Sequence, residues 1–592
     1  MKTISYGFII GCTTMMMVVS GCNFLEPKMS GTYDDENFTD YPQMVRGLVE
    51  KAYNLRPNTY QSTFYAVTDA ISDNAVFRDE SNSNRLFSLN AGTMGTSPFT
   101  SAWSNAYTSI YYCNLFLKDD VGYNTRYYLD AETDLAARRC AQGDAYAMRA
   151  WSYYELLKRF GGEGTDGVLY GVPLITDAVK ISEADPAEIT RATFDKTVEQ
   201  ILADCDKAYE LLPYNNRDYA GDPTYEVPVI GSVRYTLMDQ VSIDGLRAMV
   251  YLLWASPAFN PDGDKSRYLS AAQYAAKVIK HKLEKEGPLG FDPAKGFSWR
   301  DGNSPEAIFP SLTVSSSTYE TSFYPLNFGG SAEYAPTQEL VDAFPMANGY
   351  PITDSRSGYD PENPYEGRDV RFYADIFYNG ADVVRDGSDE VMHTIESYKG
   401  GKDAPFLTKT SPSSYYIRKF LYLGWNPNDA KVLTNVSVVF FERWEQMCLI
   451  FAEAASEYFG SADNSSLGYS AKQALAWVRS RPTADGTPGI TEDPYLEECA
   501  ASATKFRDLV RNEWRITTCF EGTRFFDLRR WEEDINVPVH GMDIMKNDNG
   551  TFAYKTTVLE TKNYPSPWIP LPVDDIRKCP NLVQNAGWEN WR

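Results

Sequence analysis

The sequence predicts a mainly helical protein with a long loop-rich, partly β segment in its middle. Two observations carry that expectation. Apolar residues recur at steps of three and four through much of the chain, the spacing that gathers them on one helical face. Between His281 and Phe441 the period fades, and Gly, Pro, Ser and Asn accumulate among Tyr, Trp and Phe, as in FSWRDGNSPEAIF and SSSTYETSFYPLNFGG. A structureless loop of that length is unusual in a compact domain, so the segment reads as a subdomain threaded between helices. No Ser/Gly-rich or Pro-rich linker divides the 592 residues. One domain over 22–592 is expected, with a helical part (22–285), a loop-rich insert (286–441) and a carboxyl-terminal part (442–592).

The amino terminus reads as an export signal over residues 1–21. Lys2 supplies a positive start, and Phe8 to Val19 is apolar or small and uncharged. Val19-Ser20-Gly21-Cys22 follows, and it resembles the bacterial lipobox, in which the thiol receives a diacylglycerol and becomes the new amino terminus. The apolar run falls short of the ~20 residues a membrane-spanning helix needs. A soluble, lipid-tethered mature chain is the expectation, since several acyl chains at ~0.8 kcal/mol per buried CH₂ hold a protein stably.

Helices are expected near 42–55, 99–117, 138–160, 193–212, 241–255, 270–281, 442–459, 470–481 and 503–519. After Thr193, a good N-cap, Phe194, Val198, Ile201, Cys205, Ala208 and Leu212 fall on one face and Pro213 ends the run. Trp444, Met447, Cys448, Phe451, Ala454, Ala455 and Tyr458 repeat the pattern, closed by Gly460. Within the insert, Tyr415–Phe420 and Val436–Phe441 look strand-like.

Composition excludes several functions. Acidic residues outnumber basic ones 80 to 56, against the basic patches that nucleic-acid binding requires. Seven cysteines beyond Cys12 and Cys22 form no CxxC pair, and an odd number cannot all pair, so disulfides are not the staple. The three histidines (His281, His393, His540) stand far apart and build neither a zinc site nor a serine triad. Gly162-Glu163-Gly164-Thr165-Asp166-Gly167 matches a dinucleotide fingerprint in letters only. It follows a helix, opens none, and places acids where phosphates would lie, so it reads as a turn. Asp262-Gly263-Asp264 lacks the six to eight oxygens that calcium demands and reads likewise. No cofactor, metal or catalytic residue is assigned.

The carboxyl end is distinctive. RNEWRITTCFEGTRFFDLRRW (Arg511–Trp531) resembles the ERR-x-E-x-x-x-EG-x-R-x-x-DL-x-RW block of the SusD/RagB family of outer-membrane nutrient-binding lipoproteins. PWIPLPVDDIRKCPNLVQNAGW (Pro567–Trp588) resembles that family's closing stretch, with NAGW for the commoner NPGY. Arg149-Ala150-x-x-Tyr153 with GVPL (Gly171–Leu174), APTQELVDAF (Ala335–Phe344) and RWEQMCLIFAEA (Arg443–Ala454) are similar to further blocks, in the family's order. The resemblance implies four tetratricopeptide-like helix pairs packed against the loop-rich half. It implies a non-catalytic lipoprotein on the outer leaflet of the outer membrane, holding glycan for a SusC-like TonB-dependent transporter. A peptide-binding uptake lipoprotein and a surface glycoside hydrolase are the alternatives. The charged and aromatic residues of the block, Arg524, Asp527, Arg529 and Arg530 beside Phe520, Phe525, Phe526 and Trp531, read as scaffold, because buried charges occur paired.

Sugar binding needs flat rings for the C–H face and polar partners for the hydroxyls, gathered on loops of a rigid frame. The segments Tyr60–Phe99 and Trp299–Phe328 supply both, and from them Tyr65, Phe77, Arg78, Trp299, Arg300, Tyr319 and Tyr324 are the ligand-binding candidates. The anchor has its own test. Cys22→Ala is expected to move the protein from the membrane to the soluble fraction; unchanged fractionation would remove the anchor.

Overall fold

A computed structural model of the chain describes residues 41–56, 63–92, 97–217, 229–284, 299–302, 304, 306–385, 388–423 and 435–591. The export signal and Cys22 lie outside the described residues. Eight of the expected helices form four packed pairs in sequence order: α1 (Pro42–Asn54) with α2 (Thr100–Leu117), α3 (Ala131–Phe160) with α4 (Phe194–Leu211), α5 (Gln240–Ala255) with α6 (Ser266–Glu284), and α7 (Trp444–Phe459) with α8 (Ala471–Arg479). Each pair also packs on the next, α2 on α3, α4 on α5 and α6 on α7.

Local chemistry fixes most ends. Thr193 accepts the Lys196 N–H at 3.2 Å, and Asp239 and Ser242 cap α5 reciprocally at 2.9 and 2.7 Å. Gly460, at φ +65°, terminates α7. The buried face of α4, with Phe194, Val198, Ile201, Cys205 and Ala208, is the stripe the periodicity predicts. Two helices start earlier than expected. Asp130 caps α3 at Thr133 N (2.8 Å), adding turns that bury little beyond Asp134 and Ala137 and so show no apolar stripe. Asp264 accepts the Ser266 N–H at 2.9 Å at the start of α6, so the Asp262–Asp264 stretch is a turn that leads into a helix.

Two cores result. One draws on Val45 through Trp588 and includes Ile243, Leu246, Val250 and Leu253 of α5. The other holds Val241, Ala248, Leu252 and Ala255, from the opposite side of α5, with α6, α7, α8 and α9 (Ala503–Thr517). Helix α5 is thus buried on two faces, which accounts for its nearly continuous apolar run. All seven cysteines of the described residues are buried and unbonded, acting as small apolar packing groups.

The middle segment is built from short two-stranded antiparallel pieces. Phe440–Arg443 pairs with Ala307–Pro310, Asn435–Ser437 with Val314–Ser316, and Tyr416–Ile417 with Ile376–Phe377. Ala75–Phe77 pairs with Tyr334–Pro336, stitching the amino-terminal part to the insert. A longer hairpin, Pro538–Lys546 with Phe552–Thr561, lies in the carboxyl-terminal part, where no strand was expected. Gly162–Glu163 pairs with Leu169–Tyr170, so the glycine-rich hexapeptide is a hairpin turn.

The carboxyl-terminal block clamps these parts together through α10 (Arg524–Arg530). Arg524 forks onto Asp73 with two bonds of 2.8 Å. Arg530 forks onto Glu453 of α7, which also accepts the Trp531 indole N–H at 2.8 Å. Arg529 donates to the carbonyls of Lys158 and Arg159, filling acceptors at the carboxyl end of α3. Burial opposes ionisation of Glu453 and Asp73, yet the guanidinium groups beside them outweigh it and hold both carboxyls below the usual range. Just before α10, Gly522 (φ +78°) donates its N–H to Asp69 at 3.0 Å, a left-handed turn that a side chain would strain.

Glu442 departs from the pairing seen at Glu453 and Asp73. It is 0% exposed, neither carboxyl oxygen has a hydrogen-bond partner among the described residues, and it faces Gly245, where an added methyl would lie 2.2 Å from Oε2. Burial, reinforced by Asp239 and Asp244, pushes its pKa up.

Two outcomes follow in unfolding experiments. Arg530→Ala strands Glu453 without its main partner and is expected to cost roughly 3–5 kcal/mol, most of it recovered by replacing both residues with Met; a loss below ~1 kcal/mol would deny the clamp its role. Because the folded-state pKa of Glu442 is raised, its protonated form favours the folded state, and that contribution fades as pH rises above the ordinary carboxylate range. Glu442→Met should flatten this slope and add about 1–3 kcal/mol under alkaline conditions; parallel stability–pH curves would count against it.

Candidate functional site

A chain of rings joins the two segments that the sequence singles out. Phe77 meets Tyr334 (5.6 Å), Tyr334 meets Phe323 (6.1 Å), Phe323 meets Tyr319 (5.6 Å), Tyr319 stacks on Phe420 (5.0 Å), and Phe420 meets Trp299 edge-on (4.7 Å). The Phe77 end is buried; the Trp299 and Phe420 end is half-buried and borders a cleft of about 560 Å³. That volume lies in the range of small-molecule sites.

Each wall residue is held by its neighbours. The Trp299 carbonyl accepts the Val438 N–H at 3.0 Å, fixing the turn that carries Trp299 and Arg300. Arg300 donates to the Leu421 carbonyl and lies 4.6 Å over the Tyr422 ring. Tyr422 N–H donates to Glu320 at 2.9 Å, beside Tyr319 on the short helix Thr318–Phe323. Phe420 sits at φ +73°, a conformation that costs a bulky residue free energy and is tolerated where the surroundings over-determine it. Lys419 supplies that constraint, with its ammonium donating to the Thr517 carbonyl and Glu521, both at 2.9 Å. In the same segment, Arg418 donates to the Tyr373 carbonyl at 2.7 Å, and burial lowers its pKa.

Beneath the rings runs a buried ionic floor. Arg443 binds Glu521, Glu306 and Glu445; Arg481 binds Glu306 at 2.6 Å. Arg371 bridges Asp369 (2.7 Å) and Glu513 (2.8 Å), and Arg479 joins Glu513 and Asp493. Burial and the adjacent Glu445 push Glu306 up, whereas Arg443 outweighs burial at Glu445 and lowers it. Arg443 and Lys419, which also line the cleft, each lie 5.6 Å from the Trp299 ring centroid, so cations lie against the ring. The carboxylates at the cleft have partners: Glu445 has Arg443, Asp485 accepts from Thr483 and Thr487, and Asp375 lies near Lys419 and Cys519. The three histidines pair separately, His281 with Asn215 and Tyr214, His393 with Asp403, and His540 with Glu339. Among the described residues, no group of three or more His, Cys, Asp or Glu is placed to hold a metal ion, and no helix is long and apolar enough to cross a membrane.

Trp299 and Arg300 therefore line the cleft beside Phe420, whereas Tyr319, 6% exposed, stacks on Phe420 from the core and does not line it. Phe77 and Tyr324 correct the expectation. At 3% and 0% exposure they are core residues with no ring face to offer a ligand, because each sits where the loop folds back onto the frame. Arg78 ends the Ala75–Phe77 strand, its N–H bonded to Glu333 O at 3.0 Å, and does not line the cleft. Tyr65 lies in the helix Thr63–Ala70, and its side chain is outside the described set. Tyr373, Arg418, Phe420 and Tyr422 went unread in the sequence; the mixture of Arg, Lys and rings in YYIRKFLY (Tyr415–Tyr422) was the available signal.

The family model described as "SusD family" matches residues 305–588, and one described as "Starch-binding associating with outer membrane" matches 23–225. Among solved structures, a SusD-like protein from Bacteroides fragilis aligns with TM-score 0.70 at 24% identity, over 94% of this chain and 98% of that one. A SusD-like carbohydrate binding protein from the same species gives 0.66 at 17% identity, over 92% and 99%. Surface glycan-binding protein A from Bacteroides fluxus gives 0.58 at 18% identity, over 92% and 99%. At these identities the structures speak for the fold. A curated SusD-like protein of Formosa agariphila is 23% identical over 222 residues, 37% of this chain and 39% of that relative's length.

Proposed function

The chain belongs to the SusD/RagB family, and from that premise we propose that it is a non-catalytic, cell-surface lipoprotein of the outer membrane that binds glycan and delivers it to a SusC-like TonB-dependent transporter. Acylated Cys22 is its anchor in this reading. The observation that carries the binding role is the convergence of Trp299, Phe420 and Tyr373 with Arg300 and Arg418 around one cleft. Rings present apolar faces to sugar C–H groups, and guanidinium N–H groups donate to hydroxyls without being consumed by a reaction. The ionic floor keeps those groups in place before ligand arrives, which lowers the ordering cost of binding. Relatives whose descriptions name carbohydrate, glycan or starch binding support the substrate class.

Calorimetry or affinity-gel migration against a panel of oligosaccharides tests the reading. Binding of at least one glycan without release of new reducing ends is expected. Trp299→Ala should weaken that binding about tenfold or more, equivalent to ~1.4 kcal/mol, with the unfolding midpoint little changed. Sustained cleavage by the purified protein, or glycan affinity indifferent to Trp299→Ala, would overturn it.

A further inference from the structure

One loop displays apolar side chains that no other described residue covers. Phe406 is 89% exposed and sits at φ +66°, so a bulky ring is held outward in a conformation that favours glycine or asparagine. The base of the loop is firmly pinned. Asp403, 0% exposed, accepts from His393 Nε2 (2.9 Å) and the Glu396 N–H (3.0 Å), and its carbonyl accepts the Tyr416 hydroxyl at 2.9 Å. Leu407 is 50% exposed, and Leu326, 41% exposed, adjoins Asn327, whose amide donates to the Lys402 carbonyl. Lys399 N–H donates to Ile544 O at 2.8 Å, which brings Met545, 44% exposed, to the same face.

The charge of this face is opposite to that of the protein. The chain carries a formal net charge of −24. Here Lys399, Lys402, Lys409 and Lys546 are exposed, with Lys546 Nζ 5.0 Å over the Tyr398 ring. The acids nearby are Glu396, 3.8 Å from Lys402, exposed Asp543 two residues before Met545 on the same strand, and Asp548 in the hairpin turn; Asp403 points inward. Exposed Phe and Leu among lysines match the boundary between lipid headgroups and acyl chains, where rings and aliphatic groups enter and ammonium groups meet phosphate.

We propose that this face, centred on Phe406 and Leu407, seats on a membrane surface bearing anionic lipid phosphates and sets how the body stands on the bilayer. It rests on the reading of the chain as membrane-tethered, and its test removes the tether. Residues 23–592, which hold every described element but no lipidation cysteine, are sedimented with phosphatidylethanolamine–phosphatidylglycerol vesicles and with phosphatidylcholine vesicles. The expected result is binding to the anionic vesicles, about tenfold weaker after Lys402→Glu with Lys409→Glu, given what each basic residue contributes near such a surface. Phe406→Asn should lower vesicle binding about as much while leaving the unfolding midpoint equal or higher, since Asn accepts positive φ. Three results overturn the proposal: no sedimentation with either vesicle, sedimentation unaffected by these variants, or Phe406-dependent capture by a purified TonB-dependent barrel without vesicle binding. Membrane release of Cys22→Ala addresses the tether and leaves this outcome independent.

Discussion

The fold hangs on arginines that have no water to turn to. Helix α10 is seven residues long, too short to be stable alone, yet its three guanidinium groups reach Asp73 near the amino-terminal strand, Glu453 on α7 and the last carbonyls of α3. Buried pairs of this kind add little net stability compared with well-packed apolar groups, because desolvation cancels most of the attraction. Their value lies in selectivity. Any misassembly that separates the partners leaves bare charges in low dielectric, which costs far more than a lost contact.

The same block reaches the cleft. Glu521, one residue before the Gly522 turn, binds both Arg443 and Lys419, and Lys419 precedes the strained Phe420. Frame and site therefore share carboxylates. Cost and benefit divide accordingly: hydrophobic burial in the two cores supplies the stabilisation, at ~1.5–3 kcal/mol for each fully buried large side chain, and the ionic floor spends part of it to hold rings in place.

The helical half was legible because periodicity is local. Phe194 to Ala208 declares its face within four turns, and the eight paired helices follow from such stripes. Caps account for the errors, since Asp130 and Asp264 begin helices whose first turns bury almost nothing. The loop-rich half was opaque for the opposite reason. Its strands run two to four residues and find partners far away, as Ala75–Phe77 finds Tyr334–Pro336. The hairpin Pro538–Thr561 was readable in principle from its Asn549-Gly550 turn between alternating segments, and was missed. Among the candidates, residue type pointed correctly to rings and guanidinium groups, but burial decided between them. Tyr324 and Trp299 look alike in sequence; only the fold sends one inward and leaves the other beside the cleft.

The seven thiols carry one last consequence. All are enclosed and unbridged, and for Cys113 burial pushes the pKa to about 12. Thiolate is the form that reacts with oxidants and attacks disulfides. The thiols of the described architecture are thus shielded from redox chemistry: a reductant finds no bridge to open, and an oxidant finds no thiolate to capture while the helices stay closed.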